Sequence, residues 1–319
     1  MEKLPLVIIN SPTATGKTAL AVYLALAFSG EIISADSMQV YRYLNIGTAK
    51  PTPEERRGIR HHLIDVVNPD EEFNAALFAE RARTIIAGLK ERGTPAFVAG
   101  GTGLYIRALL RGMIDTPDVD ENIRNHYRKL RDTHGKHYLH DLLRQRDAAA
   151  AGQIKPNDSV RVIRALEVLE QTGESITVKQ KKHSFADNPY VTCKIGIQID
   201  RKELRQRIET RTDKMIAAGL LDEVKKIMAM GYSANLKSMQ SLGYRQVVGF
   251  LNKKYGWEET IDLIKRDTWQ YARRQMTWFK SDQEIIWFPP DALNEIKNHV
   301  MKFFQSHPFN DDFKECDLP

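Results

Sequence analysis

The sequence predicts an α/β fold: a mainly parallel sheet with helices on both faces, a phosphate-binding loop after its first strand, and an inserted all-helical domain. Three observations carry that reading. Short apolar runs rich in Ile and Val recur at "LVII", "EIIS", "HLIDVV", "PAFVAG", "CKIGIQI" and "EIIWF", the pattern of strands buried on both faces. Helical stretches alternate with several of them, such as 74–92, closed by Gly93, and that alternation builds doubly covered sheets. From about 115 to 186 the rhythm stops and apolar positions keep helical spacing, as in "VRVIRALEVLEQTG". The expected division is residues 1–114 and 187–319 as the α/β core and 115–186 as the insertion. It is entered at "DTPDVD" and left at "SFADNPY", where chain-breaking residues cluster.

The first strand, ending Ile8-Ile9-Asn10, runs into "SPTATGKT": Ser11, Pro12, Thr13, Ala14, Thr15, Gly16, Lys17 and Thr18. Seven of these eight positions fit the phosphate-loop pattern G-x-x-x-x-G-K-[ST], and the helical run "TALAVYLALAF" supplies the context the motif needs. The core is therefore expected to be P-loop NTPase-like. Gly16 lets successive N–H groups point inward, Lys17 reaches terminal phosphate oxygens, and the Thr18 hydroxyl suits Mg²⁺. Ser11 stands where the pattern has glycine, a departure that costs about 1 kcal/mol if the backbone there needs a glycine conformation.

The second strand, "EIIS", leads to Asp36, at the strand end where open α/β sheets place ligands. A carboxylate there can serve as a base or as a magnesium partner. Asp65, in "HLIDVV", could serve as a magnesium acid, although a structural role is the better reading. The run "PAFVAGG" ends in glycines, where a P-loop ATPase or kinase usually has its magnesium acid. The following "GGTGLY" brings the Thr102 hydroxyl toward the same crevice. After the insertion, Leu204, Ile208 and Met215 share one helical stripe, and Arg211 sits on it, with Arg207 and Lys214 a turn away on either side. An inward guanidinium needs an anion, because an unpaired buried charge is costly. Either a core carboxylate or a bound diphosphate would supply it.

Composition narrows the classes. Hydrophobic residues make up 42% and charged residues 28% of the 319, ordinary for a globular protein. The strand-like run begins at Leu6, leaving no room for a signal peptide, and no apolar stretch is long enough to span a membrane. Cys193 and Cys316 stand far apart without metal-like spacing, so a cytoplasmic location without disulfides is expected. The tail after Pro308 is expected to be disordered. Residues 201–280 carry 17 basic and 9 acidic side chains, and residues 281–319 carry 3 and 8. A basic block of that kind is the footprint of a nucleic-acid backbone partner; solvated basic helices would give the same count.

The motifs "ADSMQVYRYLNIGTAKP", "HHLIDV", "AGGTGLY", "KPNDSVRVIRALEV", "LGYRQ" and "ARRQMTWFK", in that order up to Lys280, resemble those of the tRNA dimethylallyltransferases, also called tRNA isopentenyltransferases. The resemblance implies transfer of a dimethylallyl group from its diphosphate to the exocyclic amine of the adenosine just 3′ of a tRNA anticodon (position 37). It implies a P-loop that holds a diphosphate leaving group with Mg²⁺, stabilised by Lys17, Thr18, Thr102 and Arg211, with Asp36 as general base. By similarity, the residues facing the tRNA anticodon stem-loop are Asp36, Ser37, Met38, Gln39, Arg124, Val160, Arg161, Val162, Ile163, Arg164, Gln240, Ser241, Leu242, Gly243, Tyr244 and Arg245. The run Arg273, Arg274, Gln275, Met276, Thr277, Trp278, Phe279 and Lys280 completes that set, although an amphipathic surface helix with Trp278 in the core reads equally from the residues. A monomer is expected. Three other readings stay open: an adenylate isopentenyltransferase acting on a free nucleotide, a P-loop small-molecule kinase or ATP-driven switch, and a non-catalytic RNA-binding module.

Overall fold

A computed structural model describes residues 3–114, 116–183 and 188–309. Asp115 at the expected entry to the insertion, residues 184–187 at its exit, and the tail beyond 309 with Cys316 lie outside the described residues. The described chain forms two compact units, one built from residues up to 110 and from 189 onward, the other from 111–188.

The first unit is laid around a six-stranded parallel sheet. Its elements in chain order are β1 (Leu4–Asn10), α1 (Lys17–Ala27), β2 (Glu31–Ser34), α2 (Pro53–Arg56), β3 (His61–His62), α3 (Ala75–Glu91), β4 (Ala96–Gly100) and α4 (Gly103–Arg111). In the second unit follow α5 (Glu121–His134), α6 (Lys136–Arg146), α7 (Ala148–Gln153), α8 (Ser159–Thr172) and α9 (Ile176–His183). The first unit resumes with β5 (Tyr190–Ile197), α10 (Arg201–Ala217), α11 (Leu220–Ala229), α12 (Tyr244–Leu251), α13 (Trp257–Lys280), β6 (Ile285–Phe288) and α14 (Leu293–Ser306). The strand order is β3-β2-β4-β1-β5-β6. Asn10 at the end of β1 pairs with Gly100 of β4 and Gly196 of β5, so three strands finish together at one edge.

Period-two alternation explains why both faces are covered. Leu6, Ile8, Ile33 and Val98 turn into one core with residues of α3, α4, α11 and α12. Val7, Ile9, Ile32 and Phe97 turn the other way, onto α1 and α14. Phe309, within the tail, packs into this second core with 8% of its surface exposed.

One strand expectation needs correction. "HLIDVV" contributes only His62 to β3, because Leu63 and Asp65 adopt φ of 62° and 57°, which no strand accommodates. The turn brings Asp65 to the Lys50 ammonium at 2.6 Å. Lys50 also donates to Tyr41 O and Asn45 Oδ1, so Asp65 is the counter-ion of a buried lysine and the acid here is structural.

The second unit has its own core of Tyr127, Leu139, Leu143, Val162, Ala165 and Leu166. Asp120, Asp147 and Asp158 cap its helices. Glu167, fully buried, accepts from Arg124 at 3.0 Å, Arg164 at 2.8 Å and the Asp120 N–H at 2.9 Å. Burial opposes its ionisation, but these donors outweigh that and hold the carboxyl below its ordinary value. A buried carboxylate is tolerable only with such partners.

Candidate active site

The edge where β1, β2 and β4 finish opens into a cavity of about 340 Å³ within the first unit. The P-loop forms one wall. Ala14 and Gly16 take positive φ, 65° and 95°, which curls the loop around the start of α1. Lys17 and Thr18 in the first turn of that helix line the cavity, where unpaired N–H groups and the helix dipole favour an anion. Thr15 turns its hydroxyl back to Pro12 O at 2.9 Å.

Ser11 does not hold a glycine conformation, since its φ is not positive. Its buried hydroxyl donates to Asn10 O and accepts from the Ile197 N–H, both at 2.6 Å. The expected conformational cost therefore does not arise. A serine here ties the loop to the end of β5.

Two cations meet at this wall. Arg211 donates to Thr13 Oγ1 at 2.8 Å, and Lys17 donates to Pro12 O at 2.6 Å. Burial, then the Arg211 charge, pushes the Lys17 ammonium down to about 7, with Asp36 pulling the other way. Burial also lowers Arg211, opposed by Asp36 and Glu55. Two partly desolvated cations served chiefly by one carboxylate form a site that an anion would stabilise.

Asp36 follows β2 on the same cavity. Its Oδ1 accepts from the N–H groups of Met38 at 2.8 Å and Gln39 at 3.3 Å. Its Oδ2 has no hydrogen-bond partner among the described residues. Thr102 sits beside it, with Oγ1 accepting from the Ser37 N–H at 3.1 Å. Ser37, Met38 and Gln39 also line the cavity.

Sequence reasoning missed Ile264, Thr268 and Tyr271, which line the cavity. Tyr271 lines it one turn before Gln275 on α13, and burial, followed by the Asp36 charge, pushes its hydroxyl up to about 12. Ile264, Thr268, Tyr271 and Gln275 all face the cavity from α13. Their spacing of four, three and four residues is a single helical stripe and was a signal available in the sequence. Gln275 itself bridges two loops: its Oε1 accepts from the Thr13 N–H and its Nε2 donates to Gly101 O, both at 2.9 Å. A Cβ on Gly101 would collide with that amide, so glycine is required for the approach.

The remaining expected residues divide by place. Gln240, Ser241, Leu242, Gly243, Arg245 and Arg274 line the cavity, whereas Tyr244 is buried beneath it. Phe279 is core, Met276 is half-buried, and Arg273, Thr277 and Lys280 are exposed. Trp278 is at the surface with the Arg107 guanidinium 5.0 Å above its ring. In the second unit, Val162 and Ile163 are core, and Arg124 and Arg164 are occupied by Glu167. Of the expected residues on that helix, Val160, 80% exposed, and Arg161 face solvent.

Among the described residues no three His, Cys, Asp or Glu side chains form a metal-binding group. The donors that fit a hard cation are the Thr18 hydroxyl and Asp36 Oδ2. So sparse a set suits an ion that keeps its waters and arrives with a phosphate.

A family model described as IPP transferase matches residues 39–282. The chain is 52% identical over 305 residues, 96% of its length and 98% of the relative's, to tRNA dimethylallyltransferase 2 of Syntrophus aciditrophicus. It is 48% identical to tRNA dimethylallyltransferase 2 of Geotalea uraniireducens, covering 95% of this chain and 98% of that one. Its fold matches the full-length tRNA isopentenylpyrophosphate transferase of Bacillus halodurans with a TM-score of 0.71 at 38% identity, covering 95% and 98% of the two chains. This chain belongs to the IPP transferase family, that of the tRNA dimethylallyltransferases.

Proposed function

We propose that this protein transfers a dimethylallyl group from dimethylallyl diphosphate to the N6 amine of the adenosine 3′-adjacent to the anticodon in tRNA. The observation that carries the reading is the gathering of Lys17, Arg211 and Asp36 on one cavity at the end of the parallel sheet. In an allylic displacement the N6–C bond forms as the C–O bond to diphosphate breaks. Positive character grows on the prenyl carbon and negative charge on the departing oxygens. The P-loop N–H groups, Lys17 and Arg211 are the groups to hold that negative charge, and a preorganised set costs no reorganisation during reaction. Asp36 Oδ2 is the acceptor for the proton leaving N6. Ile208, Met215, Leu242 and Ile264 give the same cavity an apolar lining suited to a five-carbon chain. With Asp36 Oδ2 taking the proton, Thr18 would hold Mg²⁺ delivered with the diphosphate, which would supply further charge neutralisation on the phosphoryl oxygens.

The acceptor must leave its stack in the anticodon loop to enter. Gln240 to Gly243, Arg245 and Arg274 on the cavity, with the exposed Arg273 and Lys280, are the surface offered to the RNA, and residues 111–188 are assigned a second set of backbone contacts through Arg161. An RNA-modifying role in the cytoplasm accords with this, and no described helix is long and apolar enough to cross a membrane.

The test is incubation with total tRNA and labelled dimethylallyl diphosphate, followed by nucleoside analysis. Label in N6-dimethylallyladenosine is the expected result. Equal prenylation of adenosine monophosphate would replace the acceptor, and tRNA-independent ATP hydrolysis abolished by Lys17→Ala would replace the reaction class.

A further inference from the structure

Residues 45–50 form neither helix nor strand, yet Gly47, Thr48 and Ala49 wall the cavity. The group that holds them is Glu223 on α11. Its carboxylate accepts from the N–H groups of Asn45 at 3.0 Å, Ile46 at 2.9 Å and Gly47 at 3.2 Å. It also accepts from the Tyr244 hydroxyl at 2.6 Å. Three successive N–H groups on one anion form a nest, and bonds to a charged acceptor are roughly twice as strong as neutral ones. The fit is close, because a Cβ on Gly47 would collide with the Tyr244 ring. Burial, then Glu223, holds Tyr244 well above its ordinary value, so its hydroxyl stays a donor.

The far side of the loop leads to the reacting carboxylate. Gln39 Nε2 donates to the carbonyls of Thr48 at 3.3 Å and Ala49 at 3.2 Å. The Gln39 N–H donates to Asp36 Oδ1. A continuous run of contacts thus joins Glu223 to Asp36 without passing through Lys17, Arg211 or the P-loop. We propose that Glu223 is a positioning residue for the acceptor side of the cavity: it clamps the 45–49 wall and, through Gln39, keeps Asp36 placed to meet the incoming amine.

What is being positioned rests on the transferase reading; the clamp does not. The test therefore combines three measurements on Glu223→Gln, Glu223→Asp and Tyr244→Phe. These are amide hydrogen exchange over residues 45–47, calorimetric affinity for dimethylallyl diphosphate without RNA, and steady-state kinetics with an anticodon stem-loop. In Glu223→Gln, an NH₂ group faces donors that need an acceptor. Exchange at 45–47 is expected to quicken about tenfold, and kcat/KM for the stem-loop to fall roughly tenfold, while donor affinity stays within about twofold. Glu223→Asp should recover part of the loss, and Tyr244→Phe should move the same quantities less. Donor affinity falling in step with the acceptor parameters overturns the proposal, as does faster exchange with unchanged stem-loop kinetics. If Glu223→Gln does not fold, unchanged exchange and kinetics in Tyr244→Phe overturn it equally. A wild-type protein that binds donor but never prenylates RNA overturns the transferase reading instead, with the exchange result still deciding the clamp.

Discussion

Raising the pH should weaken donor binding through one side chain. In the free protein, burial and the neighbouring Arg211 hold Lys17 at about 7. A diphosphate against the same ammonium favours its charged form and restores a value near that of an ordinary lysine. The bound value is thus raised above the free one, so the contribution of Lys17 to affinity is complete below pH 7 and is lost as pH rises above it. The fraction of free protein already protonated sets the size: affinity should fall roughly fivefold between pH 7 and 8 and roughly 50-fold between pH 7 and 9. The ligand adds little over this window, since a terminal phosphate loses its last proton near pH 6. Calorimetry with dimethylallyl diphosphate in buffers of different ionisation enthalpy measures the effect directly, with uptake of about 0.9 proton expected at pH 8. Lys17→Arg cannot lose its charge and should flatten the profile. Arg211→Gln removes the like-charge neighbour and should move the break upward. Constant affinity from pH 7 to 9 without proton uptake would refute the reasoning.

Asp36→Asn keeps an Oδ1 for the Met38 and Gln39 N–H groups but cannot take the proton from N6. Turnover should drop on the order of 100-fold with tRNA affinity nearly unchanged, as separate single-turnover and binding measurements would reveal. Gln275→Ala strands the Thr13 N–H and Gly101 O; donor affinity should fall about tenfold with a lower Tm, and an unchanged donor affinity would reduce Gln275 to a packing role. Ser11→Gly removes the acceptor of the Ile197 N–H and should cost about 1–3 kcal/mol of stability in denaturant titrations, while donor affinity shifts by no more than about 1 kcal/mol.

What the sequence made legible was whatever local pattern determines. Leu6 to Ile9 can only be a strand buried on both sides, and Gly16-Lys17-Thr18 after it can only usefully begin a helix. The place of Asp36 on the cavity was legible because the C-terminal end of a strand beside a P-loop lies at the ligand edge of such a sheet. "HLIDVV" misled because apolar content resembles a strand, whereas the turn at Leu63 and Asp65 exists to reach Lys50, a partner 15 residues away that no period announces. The family resemblance assigns Arg124 and Arg164 to the RNA-facing set. Their occupation by Glu167 depends on how five helices pack, which spacing along any one of them does not encode. Tyr271 was overlooked because an aromatic on a helical stripe is usually core; only the fold puts that stripe over Thr102.

The same distinction explains how a loop that departs from its motif can still be shaped for an anion. The pattern describes the curl of the chain around the anion, and Ala14 and Gly16 supply it here. It does not describe what keeps the curl from collapsing before the anion arrives, with Lys17 and Arg211 close enough to repel. In this protein that resistance comes from contacts the motif does not describe. Ser11 fastens the loop to β5 from below, Gln275 fastens Thr13 to the glycine turn after β4, and Arg211 fastens Thr13 to α10. Three elements far apart in sequence therefore fix the loop in place, and the repulsion between its cations is not relieved by loop movement. Such strain is released when negative charge enters and is greatest in value when that charge is growing on a departing oxygen, which is the condition for a site that stabilises the transition state more than the bound donor.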